Sequence, residues 1–275
     1  MIKVTQKELL LIRDFVESNC GIVLDDSKSY LVESRLGPIL PEIGASNYLE
    51  LIVSATKDRS DKLKHKIIDC ITTNETYFFR DQKPFELLAH KLIPDVLEKQ
   101  LNQTKIKLRI WSAAASTGQE VYSVAMVIKE LLGKVTDHDI RILGTDISKN
   151  ALEIASRGLY GKIELSRGLT GARLKKHFTA KEPLWQVNDD LRAVAQFKPT
   201  NLLTGATLIP IQDIILCRNV AFYFSKENKQ RLFQNLAKKL ETGGILVIGS
   251  TENLVGMDLP FERKDFHGNI YYQKK

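Results

Sequence analysis

The chain has 275 residues, a net charge of +7 and an apolar fraction of 43%, which suffices for one large or two modest hydrophobic cores. It has no run of about 18 apolar residues, the length that spans a membrane, and its first residues lack the apolar stretch of a secretion signal. We therefore expect a cytoplasmic protein that is not inserted into a membrane.

Cysteines and histidines are few and scattered. The three cysteines form no CxxC pair, and none of the five histidines has the spacing of a metal ligand; the cysteines are Cys20, Cys70 and Cys217. We expect reduced thiols, as in a cytosol, and no metal site.

The charge is uneven along the chain. Residues 1–75 carry 10 Lys or Arg against 12 Asp or Glu, whereas residues 76–275 carry 30 against 21. The larger part should therefore attract an acidic partner, either nucleic acid or an acidic protein surface. Charge alone leaves both alternatives open.

The first 75 residues have the pattern of a small helical bundle. The segment Thr5–Glu8 is a capping box, after which apolar residues recur on one face until Gly21. Further cap residues predict three more short helices, giving four in all. These cap residues are Asp25 or Asp26, Ser46 and Ser60.

The segment 71–81 is unusually aromatic for a connector. Tyr77, Phe78 and Phe79 are consecutive, and polar residues flank them. We place the domain junction just before or within 71–83 and divide the chain into a helical domain, 1–75, and a larger domain, 76–275. The connector is either a packed linker or a segment that reaches into a neighbouring site.

From residue 107 onward, strand and helix patterns alternate, which predicts an α/β fold: a mostly parallel sheet with helices on its faces. Two final strands should form an antiparallel hairpin at the sheet edge. Residues of about 178–197 should form a small β subdomain. The predicted strands are 107–112, 140–145, 184–187, 191–197, 211–216, 245–249, 261–266 and 269–273, and the helices are 119–132, 148–157, 170–177 and 225–240.

The turn after the first predicted strand indicates a ligand site. Residues 112–118 are small, so a ligand could approach the backbone closely, and the next strand ends at Asp146, where a dinucleotide fold places its ribose-binding acid. However, the turn has a single glycine instead of the G-x-G-x-x-G of a pyrophosphate cradle. A nucleoside without phosphates fits better, and S-adenosylmethionine is the common one. An ordinary turn without a ligand is the alternative.

Six motifs in order make the chain resemble the CheR family, the glutamate methyltransferases of chemotaxis receptors. The resemblance covers nearly the whole chain. Its motifs are Asn74–Asp81, Arg109–Glu120, Gly144–Ile147, Asn201–Leu203, Cys217–Phe224 and Gly243–Gly249. It implies a class I, Rossmann-like methyltransferase domain that binds S-adenosylmethionine, joined to an all-α amino-terminal domain.

The resemblance also implies the activity and the site. The family methylates glutamate side chains on the cytoplasmic helices of chemoreceptors and releases S-adenosylhomocysteine. It implies Arg80 and Tyr223 as catalytic residues. It implies cofactor contacts from Asn74, Thr76, Arg80, Ala114, Glu120, Asp146, Ile147, Asn201, Leu202, Cys217, Arg218 and Asn219, of which Cys217 and Arg218 contribute through their backbone. We expect a monomer whose partner is the acidic methylation region of a receptor. Lys28 and Arg35 lie on one face of the second helix. This face either adds to the positive charge that attracts the receptor or is simply solvated.

Two rival functions share the fold. A nucleic-acid methyltransferase that modifies the amino groups of bases would carry the motif Asn/Asp-Pro-Pro-aromatic where this chain has Cys217–Val220. A methyltransferase that modifies cytosine through a cysteine nucleophile would carry a Pro-Cys pair, which is absent from the sequence. A catalytically silent cofactor-binding scaffold is the other rival.

The glutamate reaction needs no general base, because a free glutamate is already ionised near neutrality.

Overall fold

A computed structural model describes residues 2–275 of the chain, and its first part is a bundle of short α-helices. The capping box of Thr5 and Glu8 opens the first helix, and Gly21, at a φ of 80°, ends it. The helices are α1, Gln6–Cys20; α2, Ser29–Leu36; α3, Ile39–Glu42; α4, Tyr48–Lys57; and α5, Lys62–Ile71.

This bundle differs from the prediction in number and in two caps. A short helix, α3, follows Gly37 where we expected only a stop. Asn47, not Ser46, caps α4, because its side chain accepts a hydrogen bond from the amide of Glu50. The start of α5 is held by Asp58, whose carboxylate accepts from the amide of Leu63 at 2.9 Å.

The larger part of the chain is built on a seven-stranded sheet in the order β6-β2-β1-β7-β8-β10-β9. The strands up to β8 run parallel, and β9 and β10 form an antiparallel hairpin at one edge. The predicted fold class is therefore confirmed. The strands of this sheet are β1, Lys107–Ala113; β2, Asp139–Asp146; β6, Ala195–Pro199; β7, Gln212–Cys217; β8, Leu240–Ile248; β9, Phe261–Phe266; and β10, Asn269–Lys274.

Helices cover both faces of this sheet. None of them, nor any other helix within residues 2–275, is long and apolar enough to cross a membrane. The helices after the bundle are α6, Lys83–Leu87; α7, Ile93–Glu98; α8, Gln119–Leu132; α9, Lys149–Arg157; α10, Lys162–Ser166; α11, Gly171–His177; α12, Asp189–Val194; and α13, Lys226–Ala237. A single π-turn, Leu88–Leu92, joins α6 to α7 without a break.

The small β subdomain differs in extent from the predicted 178–197, because its strands begin at residue 159 and end at residue 187. It is a three-stranded antiparallel sheet of β3, Leu159–Tyr160; β4, Phe178–Lys181; and β5, Leu184–Val187. The predicted strand at 191–197 is correct only from residue 195, because the acidic residues at the start of α12 favour a helix over residues 191–194. The chain then continues into β6, which pairs with β2 at the edge of the main sheet.

The aromatic connector is packed into the larger part. The ring of Phe78 meets those of Tyr160 and Phe178 edge-on, with centroids 5.1 and 5.5 Å away. The amide of Phe79 donates to the hydroxyl of Ser123 on α8. The connector is thus fixed to the domain that follows it, and its polar residues keep a defined position.

The end of α1 contacts the carboxyl end of the sheet. Ile22 forms an isolated antiparallel bridge with Phe224, and the amide of Val23 donates to the carbonyl of Tyr223 at 2.8 Å. The side-chain amide of Asn201 donates to the carbonyl of Asn19 at 2.8 Å. The helical bundle therefore forms one wall beside the carboxyl ends of the parallel strands.

The contact between the end of α1 and the sheet predicts that one added methyl group at Gly21 lowers the free energy of unfolding. Replacing Gly21 by Ala should destabilise the protein by the left-handed backbone penalty of about 1–2 kcal/mol plus an overpacking cost of about 1–3 kcal/mol. The overpacking arises because the new Cβ would lie 2.2 Å from Cδ1 of Leu203. Urea unfolding measures the sum.

Gly44→Ala is the matched control. Gly44 also has a positive φ, of 70°, but a Cβ there would meet nothing within 4 Å. The Gly44→Ala substitution should therefore lower the free energy of unfolding only by the left-handed backbone penalty. Equal destabilisation by the two substitutions would contradict the packing that we describe at Gly21.

Candidate functional site

A cavity of about 390 Å³ lies between the helical bundle and the carboxyl ends of β1, β2 and β7. This is the place where open α/β sheets bind their ligands. All the predicted site residues except Cys217 line it: Asn74, Thr76, Arg80, Ala114, Glu120, Asp146, Ile147, Asn201, Leu202, Arg218, Asn219 and Tyr223.

Cys217 is the last residue of β7. It is completely buried and does not line the cavity. Burial raises the pKa of its thiol well above the usual range, so the thiol stays protonated and is a poor nucleophile. Its inward-facing side chain follows from its place on a central strand that is covered on both faces.

The turn after β1 is tight and strained. Ala114 and Ser116 adopt left-handed φ angles of 67° and 50°, which L-residues rarely do, and Gly118 has a φ of 93°. A Cβ on Gly118 would lie 2.8 Å from the Cβ of Ala155. The single glycine of the turn is thus required for packing against α9.

Asp146, at the end of β2, is held by the turn that it faces. One of its carboxylate oxygens accepts from the amide of Ser116 at 2.8 Å and the other from the amide of Ser148 at 2.9 Å. The carboxyl group is buried, and this burial raises its pKa although the amide hydrogen bonds oppose the shift. The carboxylate is therefore fixed in position at the cavity lining, and its contact with the hydroxyl groups of a ligand stays a prediction.

A buried arginine joins three segments of the site. Arg218, just after β7, donates to Glu120 at 2.7 Å, to Asp81 at 2.9 Å and to the carbonyl of Arg80 at 2.7 Å. Its side chain is only 1% exposed. The sequence indicated Arg218 only through its backbone, whereas the structure shows that its guanidinium ties α8 and the connector to β7.

The two predicted catalytic residues line the same cavity from opposite segments. The guanidinium of Arg80 donates to the carbonyl of Glu75 and lies 5.8 Å from the ring centroid of Tyr77. Tyr223 is half-buried, with its ring centroid 4.2 Å from that of Phe222. The structure brings the two residues into one site, as predicted; their catalytic roles stay predictions.

The side chain of Arg35 was expected on a solvated or receptor-facing surface, but it packs against the end of α5. Its guanidinium donates to the carbonyls of Ile71 at 2.9 Å and Thr72 at 3.1 Å, beyond the last turn of α5. The interpretation as a solvated face is wrong for this residue, which instead caps α5 and fixes the start of the connector. Lys28 lies at the cavity lining.

Two residues that the sequence analysis did not single out support the site. Asp81 is the last residue of a quoted motif and pairs with Arg218. Glu252 follows β8, and its carboxylate accepts hydrogen bonds from the loop after β7. No sequence pattern indicated Glu252, because its partners are backbone amides that leave no signature in the sequence.

The cavity residues fit a nucleoside that carries an amino acid instead of phosphates. Asp146 brings carboxylate oxygens to the lining, and Ile147 and Leu202 bring apolar surface that suits a base. Arg80 and Glu120 line the same cavity with opposite charges. Within residues 2–275, no three His, Cys, Asp or Glu side chains cluster as a metal site would require.

These features define a class I methyltransferase that binds S-adenosylmethionine. Residues 74–268 match the SAM binding domain of the CheR methyltransferases, and residues 7–72 match their all-alpha domain. The chain therefore belongs to the CheR methyltransferase family, and the resemblance seen in its motifs is confirmed. The exact division of the chain at residue 75 stays a prediction.

Full-length relatives agree with this assignment. The chemotaxis protein methyltransferase of Vibrio parahaemolyticus is 38% identical and aligns with 100% of this chain and 99% of its own. Chemotaxis protein methyltransferase 1 of Vibrio cholerae is 39% identical over 95% of this chain and 94% of its own. The protein of the same name from Pseudomonas aeruginosa is 36% identical, with coverages of 96% and 97%.

The position of Asp146 predicts a pH-dependent affinity. Hydroxyl groups donate to a carboxylate, so binding of S-adenosylhomocysteine should weaken as the pH falls toward the raised pKa, at a pH above the usual 3.8 of an aspartate. Asp146→Asn should weaken binding about 10- to 100-fold at neutral pH, because one acceptor oxygen is replaced by an NH2 group that can only donate. Calorimetric titration measures both effects.

Asp189→Asn is the control, since the Asp189 side chain is 94% exposed and pairs only with a nearby arginine on α12. It should leave the affinity and its pH profile unchanged. An Asp146→Asn variant with the affinity of the wild type would remove Asp146 from the binding site.

Proposed function

We propose that the protein transfers a methyl group from S-adenosylmethionine to glutamate side chains of chemoreceptors and so forms glutamate methyl esters in chemotactic adaptation. The names of the full-length relatives support the chemotaxis assignment. The identity of the methyl acceptor rests on one observation, which is the chemistry of the groups around the cavity.

The groups around the cavity are poorly suited to remove a proton. Among the described residues that line it, none is a histidine, and burial raises the pKa of Cys20 to about 11. Of the carboxylates that line the cavity, Glu120 is paired with Arg218, Glu75 is paired with Arg167, and Asp146 accepts two backbone amides. A hydroxyl or amine acceptor would need a base, whereas a glutamate, with a pKa of about 4.3, arrives already ionised.

The bound cofactor supplies an electrophilic methyl group on a sulfonium. We propose that Arg80 orients a carboxylate through its planar fork of donors, and that Tyr223 donates a hydrogen bond beside the transferring methyl. The backbone and side chains of the remaining predicted residues hold the cofactor in place. Catalysis by alignment of this kind contributes up to roughly 7–11 kcal/mol in favourable cases.

The charge of the chain supports an acidic partner. The larger part, residues 76–275, has 30 Lys or Arg against 21 Asp or Glu. We propose that it acts as a monomer on the acidic methylation regions of the cytoplasmic receptor helices. Long-range attraction of this kind raises the rate of encounter and weakens as the ionic strength rises.

The ester linkage provides the test of the proposed function. With radiolabelled S-adenosylmethionine and receptor cytoplasmic fragments, the label should enter the fragments and be released as methanol in mild alkali. Fragments with the target glutamates changed to alanine should stay unlabelled. Alkali-stable label, or label that enters only added nucleic acid, would contradict glutamate esterification, and no transfer at all would favour a silent scaffold.

The role of Tyr223 has its own test. Tyr223→Phe should lower kcat about 10- to 100-fold and leave the affinity for S-adenosylhomocysteine unchanged, because only the hydroxyl is lost. Steady-state kinetics and calorimetry separate the two effects. Tyr271→Phe, which removes a hydroxyl on β10 away from the cavity, is the control and should be neutral. Unchanged turnover in Tyr223→Phe would remove this residue from the mechanism.

A further inference from the structure

Glu252 binds four backbone amides from two segments. One carboxylate oxygen accepts from Asn219 at 3.0 Å and from Gly249 at 2.8 Å. The other accepts from Val220 at 3.2 Å and from Ala221 at 2.8 Å. The carboxylate thus links the end of β8 to the loop that follows β7, and its acceptor capacity is used by the protein itself.

The loop has the shape of an anion-binding nest. Asn219 has a left-handed φ of 57°, so that its amide and the next two amides converge on one point. Hydrogen bonds from such amides to an ionised carboxylate are roughly twice as strong as neutral ones. The strained backbone of Asn219 is therefore offset by the charge that Glu252 places in the concavity.

The same loop shapes the cavity and carries Tyr223. Asn219, Val220 and Tyr223 line the cavity, whereas Glu252 does not. The amide of Tyr223 donates to the carbonyl of Val220 at 3.1 Å, so the turn that bears the tyrosine begins on residues that Glu252 holds. A shift of the nest is therefore transmitted to the tyrosine through the short backbone between them and through this hydrogen bond.

Gly249 shows how closely the two segments approach. A Cβ on Gly249 would lie 2.7 Å from a carboxylate oxygen of Glu252 and 3.1 Å from the amide nitrogen of Asn219. Only glycine permits β8 to end so close to the loop. The small residue and the acid thus form one arrangement, and each can be altered separately.

We infer that Glu252 is a positioning residue, which sets the alignment of Tyr223 and of the cavity floor through the nest at residues 219–221. The inference rests on the proposed function for its kinetic consequence. Its structural consequence, the order of the nest, is independent of which acceptor receives the methyl group.

Glu252→Gln is the sharpest variant. A glutamine has the same shape, but either orientation of its amide turns an NH2 group toward two amide donors, so two hydrogen bonds are lost. The amides of residues 219–221 should exchange their hydrogens at least about tenfold faster, while those of β1 are unchanged. With receptor fragments, kcat should fall about 10- to 100-fold and the KM for the fragments should change little.

Two further variants complete the design. Gly249→Ala keeps the acid and forces the segments apart, so it should reproduce the faster exchange and the lower kcat. Glu227→Gln, at an exposed site in the first turn of α13, is the matched control and should change neither. If Glu252→Gln does not fold, Gly249→Ala and the slow exchange of the nest amides in the wild type carry the test.

The outcomes separate the inference from the proposed function. Faster exchange of the nest with a reduced kcat supports the positioning role. Wild-type exchange in Glu252→Gln, fast exchange in the unaltered protein, or faster exchange with normal kcat would each overturn it. If receptor fragments are not methylated even by the wild type, the proposed function fails, whereas the exchange measurements still decide whether Glu252 orders the nest.

Discussion

The buried guanidinium of Arg218 is the interaction on which the site depends. Its partners lie on the connector and on α8, which are far apart in sequence, and they include two carboxylates and a backbone carbonyl. An isolated buried charge would cost several kcal/mol, so the arginine and its acids stabilise the fold only together. Their mutual dependence brings Arg80 and Glu120 to the same cavity as the turn after β1.

Strained backbone is concentrated around this cavity. Left-handed φ angles occur at Phe79 and Asp81 in the connector, at Ala114 and Ser116 in the turn after β1, and at Asn219 after β7. Each such residue costs of order 1–3 kcal/mol and persists only where its surroundings fix it. Three of these strained residues donate their backbone amides to fixed acceptors: Phe79 to Ser123, Ser116 to Asp146 and Asn219 to Glu252. The site is therefore pre-organised by contacts outside the cavity as much as by its lining.

Much of this arrangement could be predicted from the sequence. Periodicity and turn residues indicated the parallel sheet and the edge hairpin, and the resemblance of the motifs to the CheR family indicated the residues that line the cavity. The predicted strand at 191–197 was right only at residues 195–197, since a short helix and an edge strand have similar apolar patterns. The side-chain partners of Arg218, Arg35 and Glu252 could not be predicted, because tertiary contacts alone decide them.

The central claim is that the cavity beside Asp146 holds a nucleoside that carries an amino acid and no phosphate. Calorimetric titration of the unaltered protein with S-adenosylhomocysteine, and separately with NAD, tests it most directly. We predict saturable binding of S-adenosylhomocysteine at one site per chain and no binding of NAD at the same concentrations. Absence of heat with S-adenosylhomocysteine, or equal affinity for NAD, would contradict the assignment of the site.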